Sequence, residues 1–194
     1  MTAFATLLYR PGDCLAGPHA NGYWLISAQV LAGEHPRALT AAAVAPRVDA
    51  LLDAGVRQFI DLTEEGERPA PYVEALRERA EARGIRASHR RFAIRDMSVP
   101  LPASMRTTLD AIHGAMAAGE PVYVHCWAGV GRTGTVVGCL CDWGPTPSEA
   151  LEVIARKWCS MEKRLLHPMS PESPEQFAFI ERWEVWASEA RPVR

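Results

Sequence analysis

The stretch VHCWAGVGRTGT, residues 124–135, decides the fold of this 194-residue chain. A short apolar run ends in His-Cys, and a loop with three glycines, an arginine and two threonines follows. The run predicts a buried strand, and the residues from about Arg132 onward predict a helix. In such a unit the loop lies at the carboxyl end of the strand, where unpaired N–H groups at the helix start bind anions. The stretch therefore predicts an anion-binding loop with Cys126 at its mouth.

The residue types in this loop suit attack on a phosphate monoester. A helix N-terminus and nearby cations stabilise a cysteine thiolate, so we expect Cys126 to be a nucleophile. The planar guanidinium of Arg132 can hold two oxygens of a tetrahedral oxyanion, and Thr133 can donate its hydroxyl to the sulfur. The phosphate is expected to rest on the loop formed by Trp127, Ala128, Gly129, Val130, Gly131 and Arg132.

Two nucleotide-binding loops are nearly matched. Residues 129–134 fit G-x-G-x-x-G between a strand and a helix, which is the dinucleotide fingerprint. However, the chain continues as helix, stop and helix, with no strand ending in the acidic residue that would hold a ribose. The NTP-binding loop requires a lysine at the position that Thr135 occupies. We therefore favour phosphate chemistry over nucleotide binding.

Strands and helices alternate along the rest of the chain. Strands are predicted within 23–34, with a break, and at 57–63, 85–94 and 121–126. Helices are predicted at 40–54, 71–83 and 103–118, from about 132, from 147, and at 174–190, each with apolar residues at helical spacing or a glycine or proline stop. The residues predicted to face the core are Val44, Val48, Leu51 and Leu52 of the first helix, Leu101, Met105, Leu109, Ile112 and Met116 of the third, Leu151, Ile154 and Trp158 of the fifth, and Phe179, Trp183 and Trp186 of the last. This alternation predicts an α/β fold, a single-domain sandwich over residues 1–194 with a central, mostly parallel sheet flanked by helices.

Composition and charge exclude several classes of protein. A net charge of −2 predicts no broad basic face for nucleic acid. No apolar run approaches the ~18 residues of a membrane span, and the N-terminus does not resemble a signal peptide, so a cytoplasmic location is expected. The five cysteines are scattered without a disulfide or zinc pattern. We expect free thiols and neither metal nor cofactor.

The pattern His125-Cys126-x5-Arg132-Thr133 resembles the signature of the cysteine-dependent protein tyrosine phosphatase superfamily. The segments WLISAQVLAGEHP, AGVRQFIDLTEE and RRFAIRDMSVP resemble strands and loops of its small bacterial and dual-specificity-type members, so the resemblance spans roughly residues 23–186. It implies a protein tyrosine phosphatase-like fold and hydrolysis through a cysteinyl-phosphate without metal. The implied partner is a phosphorylated protein or a small phosphomonoester, which serves as the substrate.

The resemblance also implies a general acid on a separate loop. Asp96, in the segment IRDMSVP at 94–100, matches it, and Asp61 at the end of another strand is the alternative. His125 is implied to orient the loop and support the thiolate. Gln176 is implied to position the hydrolytic water, although an ordinary first-turn glutamine explains it equally well.

Two further questions stay open at the level of sequence. Glu34 could pair with Arg132 and fix its guanidinium, or it could be a surface charge.

The substrate is the second open question. Relatives that act on phosphoinositides often carry lysines in the loop, whereas Trp127 and Val130 are uncharged, so a phosphoprotein is expected. Phosphotyrosine is the first candidate, and the choice between phosphotyrosine alone and dual specificity that includes phosphoserine and phosphothreonine stays open.

Two alternatives to a protein phosphatase are a phosphatase of soluble inositol phosphates and a non-catalytic phosphate-binding module. Such modules usually lack the cysteine, the arginine or the acid. Because this chain has all three, the enzyme is favoured.

Overall fold

A computed structural model describes residues 16–37, 41–67, 72–140 and 146–189 of the chain. For residues 41–42 and 184–189 it describes the backbone alone. Five strands are present in these ranges: β1 (Gly22–Ile26), β2 (Val30–Glu34), β3 (Gln58–Asp61), β4 (Ser88–Arg91) and β5 (Val122–Cys126). The helices of the described part are α1 (Ala41–Asp53), α2 (Tyr72–Ala82), α3 (Pro102–Ala117), α4 (Gly131–Cys139), α5 (Pro147–Trp158) and α6 (Pro174–Glu189), with a 3₁₀ helix at Glu162–Leu165.

The strands form one sheet in the order β1-β2-β5-β3-β4. β1 and β2 form an antiparallel hairpin, and the other neighbours are parallel. This confirms the predicted α/β sandwich with a mostly parallel sheet. β5 is the central strand, so the predicted nucleophile at its end has a neighbouring strand on either side.

The register of the sheet brings polar residues to one edge. Glu34 at the end of β2 is paired with Cys126 at the end of β5. Asp61 at the end of β3 is paired with His125. Because the carboxyl ends of parallel strands meet at the same edge, three strands deliver side chains to one small region.

Two apolar layers cover the faces of the sheet. The layer under α1 and α2 contains the predicted inward residues of α1, which are Val44, Val48, Leu51 and Leu52. The opposite layer, under α3 to α6, contains Met105, Leu109 and Ile112 of α3 together with Ile154, Trp158, Phe179 and Trp183. The side chains of β5 alternate between the two layers, because Val122 and Val124 belong to the layer under α3 to α6 and Tyr123 belongs to the layer under α1 and α2.

One predicted core residue is exposed. Leu101 continues the apolar spacing of α3 but is 74% exposed. It occupies the N-cap position of the helix, with extended backbone angles, so it does not follow the helical face that its spacing implies. Trp186 was also predicted to be buried, and its side chain lies outside the described part of the structure.

The helix that follows the central strand is buried throughout. Each residue of α4, from Gly131 to Cys139, is buried, and the helix packs against α5 and α6 as well as β5. Burial on all sides is typical of a core helix. The loop between β5 and α4 is therefore anchored at both ends in the interior of the protein.

The described ranges contain three of the five cysteines, all of them free thiols. Cys126 and Cys139 are buried thiols and Cys159 is an exposed one, whereas Cys14 and Cys141 lie outside those ranges. Within the same ranges no helix has the length and apolar character needed to cross a bilayer. There is also no cluster of His, Cys, Asp and Glu there that could hold a metal ion.

Candidate active site

The phosphate loop, residues 126–132, curls over the end of β5. Cys126 is only 3% exposed, yet it borders a small cavity of about 150 Å³. Its Sγ accepts a hydrogen bond from the backbone N–H of Gly129 at 3.2 Å. Six other predicted site residues line the same cavity: Asp96, Trp127, Ala128, Gly131, Arg132 and Gln176. The structure thus brings together residues that lie up to 80 positions apart in the sequence.

Gly129 allows the loop to pack tightly against β2. Its φ of +76° lies in the left-handed region, which residues with a Cβ rarely adopt. A Cβ at this position would also lie 2.6 Å from backbone atoms of Gly33 and Glu34. Only glycine satisfies both constraints, and its N–H then points at the sulfur.

Two of the predicted loop residues are turned away from the cavity. Val130 is fully buried, and its side chain packs in the apolar core. The hydroxyl of Thr133 is oriented toward the Gly33 carbonyl oxygen at 3.5 Å, which differs from the expected hydrogen bond to sulfur. Thr133 therefore fixes the start of α4 against β2 in this state of the protein.

The guanidinium of Arg132 lies beside the sulfur and is 2% exposed. Its two terminal nitrogens donate to Oε2 and Oε1 of Glu67 at 2.6 and 2.7 Å, a bidentate pair. Nη1 also donates to the carbonyl oxygen of Ile94 at 3.0 Å, and Nη2 lies 3.0 Å from Oδ1 of Asp96. Burial alone would lower the pKa of Arg132, but Glu67 and the neighbouring Cys126 outweigh it and raise that pKa.

The Nε atom of Arg132 is different from the terminal nitrogens. It is buried and has no hydrogen-bond partner within the part of the chain that the structure describes. Buried donors are nearly always paired in proteins. Arg132 therefore keeps one donor that no other described residue occupies.

Asp96 lies at the open side of the cavity on the acid loop, residues 94–100, which follows β4. Its side chain is 65% exposed. The loop turns sharply there, with Met97 at a φ of +58° and a hydrogen bond from the Ser98 N–H to the Arg95 carbonyl. The turn directs a solvent-accessible carboxylate toward Arg132 and the sulfur.

Asp61, the alternative acid, is enclosed in a hydrogen-bond network. It is fully buried, and its Oδ1 accepts from the Thr63 N–H at 2.9 Å and the Thr63 hydroxyl at 2.6 Å. Its Oδ2 contacts His89 at 3.1 Å and Arg91 at 3.2 Å. Burial would raise the pKa of Asp61, but the bonds to His89 and Thr63 and the neighbouring His125 hold it well below its usual range. A carboxylate so firmly ionised is a poor proton donor.

His125 lies behind the phosphate loop and is completely buried. Burial lowers its pKa to about 3, although the nearby Asp61 opposes that shift. A neutral ring protonated on Nδ1 fits both of its contacts, since Nδ1 lies 3.4 Å from the Cys126 carbonyl and Nε2 lies 2.8 Å from the Tyr72 hydroxyl. His125 thus contacts the loop through its ring, and the lowered pKa favours the neutral form of that ring.

Gln176 joins two loops at the edge of the cavity. Its Oε1 accepts from the N–H groups of Glu172 and Ser173 at 3.1 and 3.2 Å, and its Nε2 donates to the Ser98 carbonyl at 3.2 Å. The side chain also packs on Gly131. Gln176 therefore connects the acid loop to the start of α6, directly beside the phosphate loop.

The hypothesis that Glu34 pairs with Arg132 is wrong. Oε1 of Glu34 contacts Arg47 at 3.2 Å and Oε2 contacts Lys163 at 2.5 Å. Glu67 holds the guanidinium instead, and sequence reasoning missed it. A signal was available, because the acidic run after β3 lies at the same sheet edge as the loop after β5.

The family model Tc-R-P, described as "Polymorphic toxin system, DSP-PTPase phosphatase", matches residues 33–144, which is more than half of the chain. The chain belongs to this family. Its members are phosphatases of the dual-specificity and tyrosine type, and the match includes the last two residues of β2, the strands β3, β4 and β5, the acid loop and the phosphate loop.

Solved structures of such phosphatases share the fold. The active form of Tk-PTP is 22% identical, with a TM-score of 0.61 over 81% of this chain and 92% of that one. Kinase associated phosphatase, with its catalytic site cysteine changed to serine, is 15% identical, with a TM-score of 0.64 over 84% and 89%. PTPMT1 in complex with PI(5)P is 22% identical, with a TM-score of 0.60 over 84% and 96%.

Proposed function

We propose that this protein hydrolyses phosphomonoesters of phosphoproteins, with Cys126 as nucleophile, Arg132 as phosphate ligand and Asp96 as general acid and base. One observation carries the proposal. Cys126, Arg132 and Asp96 all border one cavity, and Nε of Arg132 has no hydrogen-bond partner among the described residues. Nucleophile, oxyanion donor and proton donor are the three groups that acyl- or phosphoryl-transfer chemistry requires.

Binding of the substrate depends on donors that are already in place. The phosphate loop ends at the N-terminus of α4, where unpaired N–H groups and the helix dipole favour anions. A phosphoryl oxygen supplies the acceptor that Arg132 Nε lacks. Because Glu67 fixes the terminal nitrogens, the guanidinium is oriented before the substrate arrives, which reduces the cost of reorganisation.

In the first step the thiolate of Cys126 attacks phosphorus. The S–P bond forms while the bond between phosphorus and the leaving oxygen breaks. Asp96, in its acid form, gives its proton to that oxygen, so the leaving group departs as an alcohol or phenol. Loop N–H groups and Arg132 stabilise the charge on the three equatorial oxygens.

In the second step water attacks the cysteinyl-phosphate. Asp96, now a carboxylate, accepts a proton from the water as its oxygen bonds to phosphorus. The S–P bond breaks, the thiolate is regenerated and inorganic phosphate leaves. Gln176 borders the same cavity, where its position beside the acid loop suits it to hold the attacking water.

Features of the cavity rim favour a phosphoprotein over an inositol phosphate. Met97 and Trp127 border the opening, and Met97 is 52% exposed, so an aromatic phosphotyrosine ring meets apolar side chains. No lysine lies between Cys126 and Arg132 in the sequence. PTPMT1 binds a phosphoinositide in its solved complex, so inositol phosphates are the comparison substrates.

The decisive experiment is to trap the intermediate. The protein is mixed with a ³²P-labelled phosphotyrosine peptide in the presence of a chelator and quenched in acid. We expect label on Cys126 by mass spectrometry and none with Cys126→Ser. Labelling of another residue, or turnover by the serine variant, would contradict the mechanism. Phosphate binding without turnover by the wild type would instead indicate a binding module, and preferred turnover of inositol phosphates would overturn the assigned substrate.

A further inference from the structure

The carbonyl groups of the phosphate loop point outward, and each of several has a donor from elsewhere in the chain. The Trp127 carbonyl accepts from the His35 N–H at 3.2 Å. The Val130 carbonyl accepts from the Ser170 hydroxyl at 2.8 Å. A loop whose N–H groups converge on an anion must turn its carbonyls outward, and these donors satisfy them there.

The Ala128 carbonyl differs from the other two because its donor is a charged ammonium group. Nζ of Lys163, from the 3₁₀ helix, donates to it at 2.7 Å. Lys163 is itself held, because Nζ also contacts Oε2 of Glu34 at 2.5 Å and its side chain is only 16% exposed. A charge-assisted hydrogen bond of this kind is stronger than a neutral one.

Glu34 connects this contact to the sheet. It ends β2 directly beside Cys126, and its side chain is 7% exposed. Burial would raise the pKa of Glu34, but Lys163, Asn21 and Arg47 lower it further than burial raises it. The carboxylate is thus ionised at neutral pH, and it fixes the ammonium group at the back of the phosphate loop.

We propose that Lys163 is a positioning residue for phosphate binding: held by Glu34, its ammonium group fixes the Ala128 carbonyl outward, so that the neighbouring N–H groups face the phosphate. This inference rests on the proposed function of the cavity. Lys163 does not line that cavity, so it acts on the substrate only through the loop. It lies 31 positions after Arg132 and outside the signature that predicted the site.

The test compares Lys163→Met with Arg164→Met. Methionine keeps the apolar stem of lysine and removes the ammonium group, and Arg164 is the exposed neighbouring cation. With Lys163→Met we expect kcat/KM on a phosphotyrosine peptide to fall roughly 10- to 100-fold, the size of effect that a small misplacement of binding groups produces. The inhibition constants of vanadate and phosphate should rise in parallel. Arg164→Met should leave all of these constants unchanged.

Two further variants separate positioning from stability. Lys163→Arg should restore most of the activity, since a guanidinium can donate to both the carbonyl and Glu34. Glu34→Gln should reproduce part of the loss, and adding it to Lys163→Met should cost little more, because the two residues act as one unit. If Lys163→Met does not fold, Glu34→Gln alone decides the question.

Two outcomes would overturn the inference. One is a Lys163→Met protein with a lower Tm but unchanged kinetic and vanadate constants for its folded fraction. The other is an equal loss in Arg164→Met. Failure of the proposed function is distinct from both, because it would appear as a wild type that neither turns over substrate nor forms a phosphoenzyme.

Discussion

The phosphate loop and the acid loop meet at one cavity but are built in opposite ways. Trp127, Ala128 and Val130 of the phosphate loop each have an outward carbonyl bonded to another segment, and the loop ends in a wholly buried helix. The acid loop presents a carboxylate that is 65% exposed and is tied by Arg132 and by Gln176. A group that binds charge must be fixed beforehand, whereas a group that exchanges protons needs contact with water. In the proposed mechanism, the phosphate loop binds the phosphate and the acid loop transfers protons.

The largest effect is expected in the phosphate loop, with Arg132→Lys. Lysine keeps the charge but cannot replace a planar, bidentate donor. We expect kcat/KM to fall roughly 10³- to 10⁵-fold, the range for arginines that stabilise phosphoryl-transfer transition states. The vanadate inhibition constant, measured on the same preparation, should rise strongly. Unchanged vanadate inhibition would show that the guanidinium does not hold the oxyanion.

The second-largest effect is expected in the acid loop, with Asp96→Asn. The amide keeps the shape of the carboxylate and removes the proton, so kcat on an alkyl phosphate should fall by about 10²–10⁴. A substrate with a good leaving group should be affected much less, and phosphate affinity should not fall, because the lost carboxylate is a negative charge beside the phosphate site. Asp110 is an exposed carboxylate of α3, so Asp110→Asn is the control and should leave kcat unchanged on both substrates. Equal losses on both substrates would identify a different proton donor.

A third prediction separates Asp96 from the buried carboxylate at the end of β3. Asp61→Asn should reduce the free energy of unfolding at pH 7 by about 2–3 kcal/mol, because hydrogen bonds to a charged, buried acceptor are lost. The pKa of Asp61 lies below its ordinary value in the folded protein. Its contribution is therefore present above that ordinary value and disappears as the pH falls below it.

Urea unfolding at pH 7 and pH 3 measures this difference, which should shrink at the lower pH. The kcat of folded Asp61→Asn should stay close to that of the wild type. A loss of kcat as large as that of Asp96→Asn, with unchanged stability, would reverse the roles of the two carboxylates.

The smallest effect concerns the histidines behind the phosphate loop. His125 and His35 have pKa values of about 3 and about 4 in the folded protein, below the ordinary 6.5, because both are buried. The unfolded chain therefore binds protons that the folded protein does not, and stability decreases as the pH falls below about 6.5. Each histidine contributes about 1.4 kcal/mol per pH unit over that window.

Urea unfolding of the wild type and of His125→Gln at pH 7, 6 and 5 tests the slope. The variant should lose stability less steeply. Equal slopes would mean that His125 is protonated in the folded protein, and it would then bring charge to the sulfur after all.

The comparison of the two loops also explains what the sequence could predict. Cys126, Arg132 and the strand-loop-helix around them were predicted because neighbours in the chain fix that geometry. The α/β sheet followed from alternating patterns in the same way. Glu67 and Lys163 were not predicted, because their roles depend on where distant loops meet after the sheet has formed. Leu101 was assigned to the core since its spacing fits a helical face, whereas the helix begins one residue later.

The burial of α4 has a consequence for how this molecule can be inactivated. Beyond its first turn, which borders the cavity, this helix has no face toward solvent, so its amide protons there can exchange with deuterium only when the surrounding layers separate. Amides that border the acid loop are released by far smaller openings. Gentle heating should therefore abolish proton transfer before it abolishes anion capture, leaving a protein that still holds vanadate but no longer turns over alkyl phosphates.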